Sequence, residues 1–244
     1  MKQNHALERT LKLRMLPKGL FLKDRQKLAL LPALKRAIPY TQLRVAPLFE
    51  MHDLIRRVNK ENVPGAVVEM GCGRGGCGAF MAHSVEKLGE ARDVWLFDSF
   101  EGLSEPREED IKNTPKPLER VKRGYLEVGK EVAEEAVRVM ELTHPERVYI
   151  KEGWFEDSVP RVKEQIGPIA TLRLDADLYE PTKYCLETFW DQISEGGVVV
   201  IDDYKNWIGA RRALYEFFCE KNIAPYLEHY PYGGKVYFQK NKNI

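Results

Sequence analysis

Residues 67–76 read VVEMGCGRGG, and no other ten residues restrict the chain as much. A short apolar run carries one acid, Glu69, and then breaks into glycines at 71, 73, 75 and 76. Glycine reaches backbone conformations closed to other residues and lets a ligand approach the main chain with no Cβ in the way. Beyond the glycines, Phe80, Met81, Val85 and Leu88 recur at helical spacing, and Gly89 supplies a stop. The unit is strand, glycine turn, helix, which suits a nucleotide-like ligand. Gly71, Gly73 and Gly76 also fit the G-x-G-x-x-G dinucleotide pattern, with Asp98 22 residues past the last of them. Two features point elsewhere. Glu69 stands where it could bind an ammonium group, and a long, mainly helical segment precedes the turn.

A chain of 244 residues has room for one large α/β domain with a real core. Its net charge of +1 predicts neither nucleic acid nor a membrane as partner. That mean hides an asymmetry: residues 1–44 hold eleven basic and two acidic residues, against 27 and 35 in the rest. The basic segment admits three readings: a lid over an anionic ligand, a membrane or nucleic-acid patch, or a targeting sequence. Serine is absent up to residue 44, which argues against a transit peptide, and Pro32 should break any helix there. The lid is the favoured reading. Cys72, Cys77, Cys185 and Cys219 form no C-x-x-C pair, as expected of reduced thiols in a cytoplasmic protein. No apolar run is long enough to span a bilayer, and no secretory leader is expected.

Strand patterns fall at 66–70, 93–98, 147–151, 169–175 and 197–202, and helical patterns at 46–60, 77–88, 130–143, 156–165, 181–192 and 207–221. Such alternation predicts a doubly wound, Rossmann-like α/β fold on a parallel sheet. The end differs: YLEHY, PYGG and KVYFQK read as an antiparallel hairpin. Five parallel strands and a C-terminal antiparallel hairpin resemble the class I methyltransferase sheet more than a six-stranded dinucleotide fold. Residues 99–117 are acidic, proline-bearing and without period, as expected of a loop at the strand ends.

Two pairs of acids close apolar strands: Asp175 and Asp177 in LRLDADLYE, Asp202 and Asp203 in VVVIDDY. Ligands of open α/β sheets bind outside the carboxyl ends of the strands. Carboxylates gathered there repel one another unless a cation joins them, and a hard divalent ion such as Mg²⁺ accepts oxygen ligands. The alternative is that they cap strands, bound to backbone amides or to Arg173. Trp95, Phe217 and Phe218 read as core, and none of the histidines (5, 52, 83, 144, 229) stands out as a base.

Taken together, VVEMGCGRGG, FDSFEGL (97–103), KEGWFEDS (151–158), LRLDADLYEPT (172–182) and IDDYKNWIGARRAL (201–214) resemble the TylF/MycF, macrocin-O-methyltransferase-like family of metal-dependent enzymes that use S-adenosylmethionine. Gly73 replaces a frequent Trp of the family loop, and Ser158 a usual Thr. With the basic, helical lid segment taken as residues 1–62, the resemblance implies a methyltransferase domain over 63–244. It implies that Glu69 and Gly71 face the methionyl end of the cofactor, with Gly73 in the same loop. Asp98 would take the ribose hydroxyls, Ser99 and Phe100 would lie beside the adenosine, and Gly153 and Trp154 would border the adenine. Tyr40 and Thr41 would close over it. Asp175, Asp202 and Asp203 would hold Mg²⁺, and Asp177 would be the general base. The implied acceptor is a small hydroxylated molecule such as a sugar or glycoside, and a homo-oligomer is a family-based expectation. Two rivals remain at this point: a metal-dependent glycosyltransferase, suggested by Asp175-Ala176-Asp177, and a non-catalytic protein that only binds S-adenosylmethionine.

Overall fold

The computed structural model describes residues 25–112, 120–230 and 234–241. Seven strands form one sheet: β1 (Ala66–Met70), β2 (Val94–Asp98), β3 (Val148–Glu152), β4 (Ile169–Leu174), β5 (Ile193–Ile201), β6 (Glu228–His229) and β7 (Val236–Gln239). Their order is β3-β2-β1-β4-β5-β7-β6. The first five are parallel, and β7 pairs antiparallel with both β5 and β6. The expected parallel sheet with a terminal hairpin is therefore present, although β6 is only two residues long.

Ten helices are described: α1 (Arg25–Ala29), α2 (Leu31–Ala37), α3 (Val45–Lys60), α4 (Gly76–Lys87), α5 (Glu108–Ile111), α6 (Lys130–Arg138), α7 (Phe155–Ser158), α8 (Lys163–Ile166), α9 (Tyr179–Phe189) and α10 (Ile208–Lys221). Strand residues alternate between two apolar layers, as a period of two requires. Val67, Leu96 and Val200 face α2, α3, α4 and α6, whereas Val68, Phe97 and Val199 face α9 and α10. Covering helices on both sides account for the unbroken burial of β1 and β4. Trp95, Phe217 and Phe218 are core residues, as read.

Several boundaries have local causes. Pro32 sits in the first turn of α2, and the helix before it stops at Ala29. The helix expected at 156–165 is two short pieces, because Pro160 has no N–H to carry the ladder from α7 into α8. The one expected at 130–143 ends at Arg138, and Glu141 takes a left-handed conformation (φ 54°). Asn222, also left-handed, ends α10. The loop expected at 99–117 contains the single turn α5; its residues 113–117, residues 1–24 of the basic segment and residues 231–233 of the hairpin turn lie outside the described residues. Among the described residues no helix is long and apolar enough to cross a membrane.

The direction of strand order reverses between β1 and β4, and this crevice is where an open sheet accepts ligands. The two strand ends touch. The Asp175 amide donates to Met70 O at 2.9 Å. Gly71, at φ 86°, has no room for a side chain, since a Cβ would overlap the Asp175 carbonyl. The N-terminal helices close on the same loop: a Cβ on Gly76 would lie 2.5 Å from Tyr40 O and 2.7 Å from Ala37 O. Gly76→Ala should therefore cost about 1–3 kcal/mol, the usual range for overpacking. Urea unfolding should show a lower midpoint at unchanged slope; a wild-type midpoint would mean that the segment before residue 41 yields freely.

Candidate active site

A cavity of about 950 Å³ opens at the carboxyl ends of β1, β2, β4 and β5. Of the residues expected there, Glu69, Gly71, Gly73, Asp98, Ser99, Trp154, Asp175, Asp177, Asp202 and Asp203 line it, as do Tyr40 and Thr41. Phe100 and Gly153 do not. Phe100 is buried behind the wall in a left-handed conformation (φ 60°), and Gly153 turns the chain after β3 at φ 122°, its amide bonded to Asp98 O.

Asp98 ends β2 and organises the glycine turn. One carboxylate oxygen accepts the Gly73 N–H and the other the Phe100 N–H, both at 2.7 Å. Burial raises its pKa, and these two amides pull it back. Each oxygen keeps a further lone pair for a ligand.

The acids at the other strand ends meet around one cation. Glu69 and Arg173 are register partners on β1 and β4, so an acid and a base are set side by side inside the sheet. The Arg173 guanidinium is 1% exposed. It binds Glu69 Oε1 at 2.5 Å, Asp175 Oδ2 at 2.8 Å and Asp202 Oδ1 at 2.5 Å. Lys235 Nζ, equally buried, donates to the same oxygen of Asp202. The alternative reading of Arg173 as a partner of these acids is thus realised, but it does not neutralise the cluster. Glu69, Asp175, Asp177, Asp202 and Asp203 all face the cavity, and Arg173 and Lys235 bind three of them: Glu69, Asp175 and Asp202.

The imbalance shows in the titration of each group. Burial would raise Asp202, but Arg173 and Lys235 outweigh it and hold the carboxyl below its ordinary range. Burial pushes Glu69 up to about 7 against the pull of Arg173, and Glu69 Oε2 has no nitrogen or oxygen donor. Asp203 lies well above the usual range, from burial and then from Asp177, Asp175 and Asp202. One carboxylate oxygen from each of Asp175, Asp202 and Asp203 falls within 4.8 Å of the others. Of these three acids, Arg173 and Lys235 bind only Asp175 Oδ2 and Asp202 Oδ1, so each of the three retains an oxygen that no cationic side chain binds. Such hard donors fit a divalent cation.

Asp177 follows β4 by three residues and takes a left-handed conformation (φ 58°), which a non-glycine residue holds only when its surroundings enforce it. Its N–H donates to Asp203 Oδ2 at 3.1 Å. Sequence reasoning missed Lys235. The available signal was its place at the head of the apolar strand VYFQ, where an inward charge needs a partner.

Arg173→Met should be severely destabilising, by about 3–5 kcal/mol, because buried acids lose their shared cation. The pH dependence gives the sign. Asp202, held low in the wild type, contributes stability that is present above the unfolded pKa and lost as pH falls through the folded one. Without Arg173 the acids titrate higher, the folded state binds more protons, and the deficit should shrink on going from about pH 8 to about pH 5. Urea unfolding of both proteins in EDTA checks this; a deficit independent of pH would mean that Arg173 acts through packing alone.

Comparisons with known proteins give the family. A model of the family described as macrocin-O-methyltransferase (TylF) matches residues 33–240. Demethyldecarbamoylnovobiocin O-methyltransferase of Streptomyces niveus is 31% identical over 208 residues, 83% of this chain and 76% of that protein. The 8-demethyl-8-(2,3-dimethoxy-alpha-L-rhamnosyl)-tetracenomycin-C 4'-O-methyltransferase of Streptomyces olivaceus is 33% identical over 181 residues, 69% of this chain and 64% of that protein. Among solved structures, the O-methyltransferase NovP aligns with a TM-score of 0.73 at 26% identity, covering 98% of this chain and 100% of that one. The chain belongs to the macrocin-O-methyltransferase (TylF) family and is an O-methyltransferase.

Proposed function

We propose that this protein moves the methyl group of S-adenosylmethionine to a hydroxyl of a small sugar-bearing molecule, with Mg²⁺ held beside the acceptor. The observation that carries the reading is the contact between Gly71 and Asp175, which makes the glycine turn and the carboxylate cluster adjoining walls of one cavity. A rhamnosyl compound in the name of the Streptomyces olivaceus relative supports a sugar as acceptor. Membership of an O-methyltransferase family speaks against the dinucleotide and glycosyltransferase alternatives.

S-adenosylmethionine supplies a methyl group already activated on a sulfonium, so the protein has to align an oxygen with it and take a proton. Glu69 Oε2, buried and without a nitrogen or oxygen donor, is suited to the methionyl ammonium. Asp98 is suited to the ribose hydroxyls, with Ser99 and Trp154 bordering the base. Tyr40 and Thr41, between α2 and α3, close the cavity on the N-terminal side. Asp175, Asp202 and Asp203 would hold the divalent ion, and its chemistry when bound would be to lower the pKa of an acceptor hydroxyl. Asp177 receives the acceptor proton, in keeping with its place on the cavity wall, where its N–H is bonded to Asp203.

Mass spectrometry of acceptor methylation tests the assignment. EDTA should abolish turnover and Mg²⁺ restore it, while calorimetry shows cofactor binding unchanged. Asp98→Ala should weaken S-adenosylmethionine by about ten- to a hundredfold. Asp177→Asn should keep cofactor and metal affinity and lose about 10²–10⁴ in rate, whereas Asp175→Asn should be partly rescued by excess Mg²⁺. Full activity after verified metal removal would refute the ion, and a fully active Asp177→Asn enzyme would refute the base.

A further inference from the structure

Asp110 belongs to an acidic, mostly exposed stretch, yet it is 2% exposed, while Glu108 on the same turn lies in solvent. Its Oδ2 accepts the Arg107 N–H at 2.9 Å, and its Oδ1 accepts the Tyr179 N–H at 2.8 Å. Tyr179 is the first residue of α9, and the residue before it, Leu178, has no side-chain oxygen with which to cap the helix. Asp110 therefore serves as the cap from a distant segment, with its charge at the favourable end of the helix. Room for it is built in, because a Cβ on Gly209, in the first turn of α10, would overlap Asp110 Oδ1. A separate apolar cluster of Leu103, Val121, Leu178, Trp207 and Ala210 joins the same segments.

The capped residue lies two positions after Asp177. The turn between them is tight: Leu178 N–H reaches back to Ala176 O at 2.5 Å, and Asp177 is left-handed. Asp203 fixes this turn on one side and Asp110 on the other. We propose that Asp110 is a positioning residue, which latches the segment over residues 99–112 to the head of α9 and holds Asp177 in place for proton removal. This stretch of the cavity wall and the base then move as one unit. This rests on the reading of Asp177 as the base.

The test uses the full chain with Mg²⁺ and S-adenosylmethionine. Asp110→Ala should lower kcat about 10- to 100-fold, the scale of a small misplacement near the reacting atoms. It should leave cofactor affinity unchanged and speed hydrogen exchange at the head of α9. Asp110→Asn keeps an oxygen for the Tyr179 N–H and should recover most of the rate. Gly209→Ala, which displaces the carboxylate without deleting it, should reproduce the Asp110→Ala pattern should that variant not fold. In an Asp177→Asn background, Asp110→Ala should slow turnover no further. Multiplicative losses in the double variant, or wild-type kcat in Asp110→Ala beside a slow Asp177→Asn enzyme, would overturn the latch alone. A fully active Asp177→Asn enzyme would overturn the base and the latch's route to it, and hydrogen exchange at α9 would still report whether the cap exists.

Discussion

Arg173 is the interaction on which the rest of the structure depends. A fully buried guanidinium is tolerable only when carboxylates balance its charge. Here they come from three strand ends at once: Glu69 of β1, Asp175 after β4 and Asp202 after β5. Register places Glu69 beside Arg173, and the parallel pairing of β4 with β5 brings Asp202 to the same height. The ion cluster therefore fixes how far each strand runs before it turns, and it sets the floor of the cavity.

Excess negative charge is the second constraint. Arg173 and Lys235 serve Glu69, Asp175 and Asp202, whereas Asp203 is bound through a backbone amide. A protein that needed only a stable core would gain from fewer acids, since buried ion pairs repay their desolvation poorly. Retaining them makes sense when something positive completes the set.

Much of this was legible in the sequence, for a physical reason. Strand ends, glycine turns and terminal acids are local features, and the sheet's parallel order follows from alternation of short strands with helices. The acids at 175, 177, 202 and 203 converge because every parallel strand ends at the same edge. What escaped depends on partners remote in the chain. Lys235 meets Asp202 only because β7 returns antiparallel beside β5. Asp110 looked like one more solvated acid in an irregular loop, and nothing adjacent to it signals Tyr179 or Gly209. Phe100 is set beside the adenosine by the resemblance alone; after Asp98 it takes a left-handed conformation, is buried, and does not line the cavity. The basic N-terminal segment, unusual in composition, is partly ordinary in structure: Lys27 pairs with Asp53 and Arg36 with Glu141.

The backbone contact between Gly71 and Asp175 has a consequence for recombination among relatives. The glycine turn and the carboxylate cluster meet through main-chain atoms, with no side chain between them to absorb a mismatch. A chimera that takes β1 from one parent and β4 from another inherits two backbones that were never fitted to each other. A pair of crossovers, one after β2 and one before α6, exchanges only the stretch between them and leaves the joint from a single parent.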